Sequence, residues 1–97
     1  MTDPKRPSYT LKFTPAALRD LEKLDPSVCR VVFSDIERLK ENPRPHGVAK
    51  MAAKEKLYRV YVGPAKNYRA IYQIRDEAVL VLVVRVGDRK DVYRRVK

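Results

Sequence analysis

The residues best equipped for chemistry are four arginines, Arg59, Arg69, Arg85 and Arg89, threaded through the Val-, Ile- and Tyr-rich stretch from Leu57 to Tyr93. A guanidinium presents a planar fork of N–H donors that matches a phosphate bidentately, so arginines held on a rigid sheet point to a polyphosphate ligand. RNA can be cut without a metal when its 2′-hydroxyl attacks the adjacent phosphorus, leaving a cyclic phosphate and a 5′-hydroxyl. Such a reaction needs an aligned nucleophile, charge stabilisation of the dianionic transition state and two proton transfers. Arg59, Arg69 and Arg89 can supply the charge. The chain has one histidine, His46, and one cysteine, Cys29, so a two-histidine mechanism is excluded and a His/Cys metal site is not indicated. Tyr93 is the candidate proton acceptor: its phenol, with a reference pKa of about 10, becomes more acidic beside guanidinium groups.

Composition agrees with an acidic partner. The 97 residues carry 22 Lys+Arg against 12 Asp+Glu, a formal net charge of +10. Cations this numerous repel one another in a compact chain, which favours nucleic acid or an acidic protein as the neutralising partner. No run approaches the roughly 18 apolar residues of a membrane span, and the polar opening stretch does not resemble a signal peptide, so the expected location is cytoplasmic. A chain of this size buries one modest core. The expectation is a disordered leader over 1–7 and a single domain over 8–97.

The elements that must position the arginines follow from periodicity and punctuation. Ser8 to Phe13 alternates polar and apolar, a half-buried strand with Tyr9, Leu11 and Phe13 inward. Thr14-Pro15 and Asp25-Pro26 each read as a helix start. The first helix is expected to turn Leu18, Leu21 and Leu24 inward and Arg19, Asp20, Glu22 and Lys23 outward. The second carries an apolar stripe of Val28, Val32, Ile36 and Leu39 and stops at Asn42-Pro43. Pro43 to Lys56 is a cationic loop, with Lys50, Lys54 and Lys56 as candidate RNA contacts and a helical turn expected within Ala49 to Lys56. Three strands follow, Leu57 to Val62, Tyr68 to Arg75 and Ala78 to Val86, with a short last strand over Asp91 to Val96. The unbroken apolar run Val79 to Val84 belongs inside the sheet.

The five-residue loop Gly63 to Asn67 closes a hairpin that sets Val62 opposite Tyr68 and Tyr61 opposite Arg69, so that Arg59, Tyr61 and Arg69 share a face. If Arg75 and Ala78 flank the next turn, Val84 falls beside Arg69; a one-residue slip brings Arg85 to that side instead.

Tyr68-Arg69 followed by Val86, Gly87, Arg89, Val92 and Tyr93 resembles the signature of the RelE/ParE superfamily of bacterial type II toxins, in its RelE-like branch of ribosome-dependent mRNA endoribonucleases. The resemblance covers roughly Tyr9 to Val96. It implies an α+β fold of order β-α-α-β-β-β, a helical hairpin on a mostly antiparallel twisted sheet, and no cofactor or metal. It also implies inhibition by a cognate acidic antitoxin and cleavage of mRNA in the ribosomal decoding site. By position, Arg69 matches the arginine that stabilises the scissile phosphate, Arg89 the arginine after the glycine, and Tyr93 the tyrosine implicated in proton transfer and stacking. Arg59 falls where the founding branch has a catalytic lysine. The chain departs from the pattern at Tyr61, in place of a second basic residue, and at Asp88, where many relatives place histidine.

Bland alternatives stand beside these roles. Sheet arginines are often solubilising or paired with carboxylates, and Arg85, like Tyr61 a candidate RNA contact, lies outside the matched motif. Tyr61, Tyr68 and Tyr72 suit packing, and Cys29 a small hydrophobe. Two further functions compete: inhibition of DNA gyrase by the ParE branch, which shares the scaffold, and a non-catalytic basic module that only binds RNA or protein.

Overall fold

The computed structural model describes residues 8–51 and 56–88. The leader 1–7, Lys54, Arg89, Tyr93 and the expected strand over Asp91 to Val96 lie outside them. Five strands form one sheet: β1 (Thr10–Phe13), β2 (Ala49–Lys50), β3 (Leu57–Val62), β4 (Tyr68–Arg75) and β5 (Leu80–Asp88). Two helices, α1 (Pro15–Glu22) and α2 (Pro26–Glu37), lie between β1 and β2 in the chain. The strand order is β1-β5-β4-β3-β2; β1 runs parallel to β5 and the other pairings are antiparallel. This is the expected α+β architecture, with β4 in the middle and the apolar β5 flanked on both sides.

Thr14 links helix to sheet. Its Oγ1 accepts from the Ala17 N–H at 3.1 Å, capping α1, and its hydroxyl donates to the Val84 carbonyl at 2.7 Å. Pro15 follows, where its missing N–H costs nothing. Asp25 differs from expectation: its side chain makes no capping bond, and the fixed φ of Pro26 carries the start of α2.

The helices pack on one face of the sheet. Val32 and Ile36 of α2, with Leu39 just beyond it, meet Val62, Ala70, Tyr72, Ile74, Val81, Val83 and Val86, with Tyr9, Leu11 and Phe13 partly buried at the β1 side. Each fully buried aliphatic side chain contributes about 1.5–3 kcal/mol; Ile36→Ala would cost about 2–5 kcal/mol through lost transfer energy plus a cavity. The other face carries a smaller cluster, Leu57 and Ile71 with Met51 and Val84.

Three further expectations need correction. In α1, Leu18 is 50% exposed, whereas Asp20 is buried beside Ala17 and Leu21. Hydrophobicity alone sets the helix phase wrongly here, because Asp20 turns inward to meet partners on β5. Ala49–Lys50 is a strand, with Ala49 opposite Arg59 and Lys50 opposite Tyr58, where a helical turn was expected. Pairing with β3, continued by the Met51 N–H on the Leu57 carbonyl at 2.8 Å, overrides weak helix propensity. Finally, Arg69 lies opposite Gly87 and neither Val84 nor Arg85. The turn over Asp76–Ala78 is longer than expected, ending on Val79 in the left-handed region (φ 49°), so that Arg75 pairs with Leu80. A bulge then leaves Val84 as the extra residue, because Ile71 pairs with Arg85 but Tyr72 with Val83.

Candidate functional site

The hairpin register is the one the loop length dictates: Val62 opposite Tyr68, Tyr61 opposite Arg69 and Arg59 opposite Ile71. Alternation along the strands puts Arg59, Tyr61 and Arg69 on the face turned away from the helices, the face of Leu57 and Ile71. Tyr58, Val60 and Tyr68 take the opposite side, against the core. Arg69 therefore sits on the central strand, between Tyr61 on β3 and Gly87 on β5. Gly87 puts no side chain on the neighbouring position of that face.

Arg69 is only 9% exposed. Its guanidinium lies over the Tyr61 ring, with Cζ 4.9 Å from the centroid, and Nη2 donates to the Tyr61 hydroxyl at 2.9 Å. Stacking and hydrogen bonding together fix the fork's direction, and cation–π attraction at partly desolvated sites contributes about 0.5–2 kcal/mol. A phenol does this without bringing a charge of its own. The edge of the face by Tyr61 opens into a cleft of about 260 Å³, whose lining includes Arg38, Asn42, His46 and Lys66.

The remaining expected contacts are dispersed. Lys50 and Lys56 are exposed, on β2 and immediately before β3. Arg85 does not join Arg69. Its side chain leaves the sheet towards α1, where Nε and Nη2 donate to Asp20 Oδ2 and Oδ1 at 2.8 and 2.9 Å. Hydrogen bonding to that carboxylate raises the Arg85 pKa above its ordinary value. The carboxylate partner meets the donors that a phosphate would have used. Asp20 is the residue that sequence reasoning missed: it lies 65 positions from Arg85, and no local pattern connects them.

A second polar group holds the far end of the sheet. Arg44 Nη2 pairs with Asp76 Oδ2 at 2.9 Å, the Tyr9 hydroxyl donates to Asp76 Oδ1 at 2.7 Å, and Arg44 Cζ lies 5.5 Å from the Tyr58 ring centroid. The bonds from Arg44 and Tyr9 hold the Asp76 carboxyl below the usual carboxylate range. The buried Tyr72 hydroxyl donates to the Pro43 carbonyl at 2.7 Å, and burial pushes its pKa well above that of a free phenol. These bonds seat the loop that leads to Lys50. Among the described residues, no group of three or more His, Cys, Asp or Glu side chains is placed to hold a metal ion, and no helix is long and apolar enough to cross a membrane.

A two-helix layer on one face and a tyrosine-braced arginine on the other define a small α+β protein with arginines on the sheet face turned away from its helices. Residues 11–93 match the family described as ParE toxin of type II toxin-antitoxin system, parDE. The chain is 37% identical over 91 residues to toxin RelG of Mycobacterium tuberculosis, covering 90% of this chain and 98% of that one. It is 31% identical over 88 residues to the mRNA interferase toxin RelE of Escherichia coli, covering 89% and 90% of the two chains. Among solved structures, the intact E. coli RelBE toxin–antitoxin complex matches with a TM-score of 0.71 at 30% identity, over 84% of this chain and 96% of that one. The RelBE2 toxin–antitoxin complex of M. tuberculosis matches with a TM-score of 0.69 at 29% identity, over 84% and 99%. The chain belongs to the RelE/ParE superfamily of type II toxin–antitoxin toxins, and within it is RelE-like.

Proposed function

We propose that this toxin is an mRNA endoribonuclease that cuts messages on the ribosome, by attack of a 2′-hydroxyl on the adjacent phosphorus without a metal. The observation that carries the reading is Arg69, braced by Tyr61 and flanked by the bare Gly87 position, with Arg59 one cross-strand pair along the same face. In the proposed reaction the 2′-oxygen forms a bond to phosphorus and the P–O5′ bond breaks. Arg69 and Arg59 stabilise the charge on the phosphoryl oxygens; Arg89 adds a third cation and Tyr93 accepts the 2′-proton, both assigned by family resemblance. Solvent water donates the proton that the leaving O5′ takes up. Tyr61, Lys50, Lys54 and Lys56 serve as RNA contacts, while Arg85 leaves that group because of its pairing with Asp20. The name mRNA interferase of the E. coli relative supports the reaction class.

A cognate acidic antitoxin is the proposed protein partner, supported by the +10 charge and by matching chains solved in toxin–antitoxin complexes. The toxin domain is proposed to span 8–97 and to act in the cytoplasm, where its ribosomal substrate is. Induced expression with transcript-end mapping tests the proposal. Cleavage inside codons, with 2′,3′-cyclic phosphate and 5′-hydroxyl ends that disappear in Arg69→Ala, is the expected result. Intact messages during growth arrest refute it. The ParE description of the matching family favours one second reading, gyrase inhibition; loss of supercoiling activity on adding purified toxin to gyrase would select it.

A further inference from the structure

We propose that Asp20 is a positioning residue for the candidate site, acting from α1 to hold the end of β5 that carries Gly87 against Arg69. This rests on the nuclease reading above. β1 pairs with β5 from Leu80 to Val83, so β5 runs past its parallel neighbour before it reaches the level of Arg69. Side chains and backbone of the α1 region take over there. The Thr14 N–H donates to the Val83 carbonyl and the Thr14 hydroxyl to the Val84 carbonyl. Asp20 Oδ2 then accepts from the Val86 N–H at 3.0 Å, while both its oxygens receive Arg85. One carboxylate gathers three N–H donors from two consecutive residues of β5.

The location of this clamp matters. It falls immediately after the bulge at Val84, where the ladder with β4 is interrupted, and immediately before Gly87, the cross-strand partner of Arg69. A bulge loosens and twists a strand locally, so the segment that flanks the site needs a hold from its other side. Packing does not call for an acid here. Asp20 is 4% exposed on the inward stripe of a short helix, between Ala17 and Leu21. Apolar residues at such positions generally stabilise as well as or better than a buried ion pair. What the carboxylate supplies is direction: it fixes Arg85, the Val86 amide and the strand end relative to α1.

Cleavage kinetics on ribosomes programmed with a defined mRNA test this, comparing wild type, Asp20→Asn, Arg85→Met and Arg69→Ala at a temperature where circular dichroism shows each variant folded. A displaced site loses rate while its affinity-bearing cations remain. Asp20→Asn is expected to lower kcat by about tenfold or more, since shifts on the order of 1 Å near the chemistry cost up to ~100-fold, with KM within about twofold of wild type. Arg85→Met, which leaves the Asp20–Val86 bond in place, is expected to lower kcat by about threefold with KM likewise unchanged. Wild-type kcat in a folded variant, with only its melting temperature reduced, makes the pair merely structural and overturns the proposal. A raised KM at unchanged kcat in Arg85→Met assigns Arg85 to RNA contact and overturns it too. If Asp20→Asn does not fold, Arg85→Met decides on the same criteria. Wild-type activity in Arg69→Ala refutes the nuclease-site reading and this proposal with it; an inactive Arg69→Ala beside a fully active, folded Asp20→Asn refutes the positioning role alone.

Discussion

Arg69 and Arg85 occupy neighbouring strands and differ in what holds them. At the α1–β5 junction, Arg85 is clasped by the Asp20 carboxylate through two hydrogen bonds. In the β3–β4 hairpin, Arg69 is stacked on and hydrogen-bonded to a neutral phenol. An anionic clasp sets an opposite charge against the arginine, whereas a phenol supplies orientation without a charge of its own. Sequence type does not distinguish the two residues. The partner does, and on the proposed nuclease reading it separates an arginine tied into the α1–β5 junction from one set for chemistry.

Five measurements would break or sharpen that contrast. The largest effect is expected for Arg69→Ala: removing one preorganised charge donor should slow cleavage about 10²–10³-fold, roughly 3–4 kcal/mol of transition-state stabilisation, with little change in melting temperature. Comparable rates in Arg69→Ala and wild type would erase the distinction. Asp20→Ala should do the reverse for stability, costing about 2–3 kcal/mol in urea unfolding. This lies below the 3–5 kcal/mol of a fully buried pair, because the Arg85 side chain retains 21% of its exposure and water can reach it. Tyr61→Phe keeps the ring under Arg69 and removes its hydroxyl; the loss of about 1 kcal/mol of orientation should appear as a several-fold fall in cleavage and an unchanged fold.

The smallest effects belong to the far end of the sheet and are read by pH. The Tyr72 pKa is raised by burial, so its contribution is complete below the phenol's ordinary value near ~10 and is lost as pH rises towards the folded value. Tyr72→Phe should cost about 1 kcal/mol at neutral pH and flatten the alkaline decline in unfolding free energy. Asp76 has the opposite sign. Its lowered pKa makes its contribution present above the ordinary carboxylate range and lost as pH falls through the folded value. Asp76→Asn should flatten that acid limb only slightly, and added salt should diminish the difference, because this pair lies in solvent.

What was legible in the sequence was local. β3 and β4 begin and end at the expected residues, Leu57 to Val62 and Tyr68 to Arg75, because β-branched and aromatic runs are bounded by clear turn residues. The opposition of Tyr61 and Arg69 followed from loop length and a period of two. Illegible were features decided by distant partners. The bulge at Val84 and the left-handed Val79 displaced the β4–β5 register by three residues, two from the longer turn and one from the bulge. Lys50 joined a strand because β3 offered it an edge, and Asp20 turned inward because Arg85 and the Val86 amide were waiting. Charge read as a marker of solvent fails where the counter-charge arrives from the other end of the chain.

The parallel pairing of β1 with β5 ties Thr10–Phe13 to Leu80–Val83. Synthesis must therefore pass residue 83 before the opening strand has its ladder to join, and the helical hairpin must wait for much of the surface it will cover. Contacts of such long sequence separation fold slowly. A newborn toxin would thus spend its translation, and a short time after it, unassembled: an interval in which an already present antitoxin could meet the chain before the cationic face is complete.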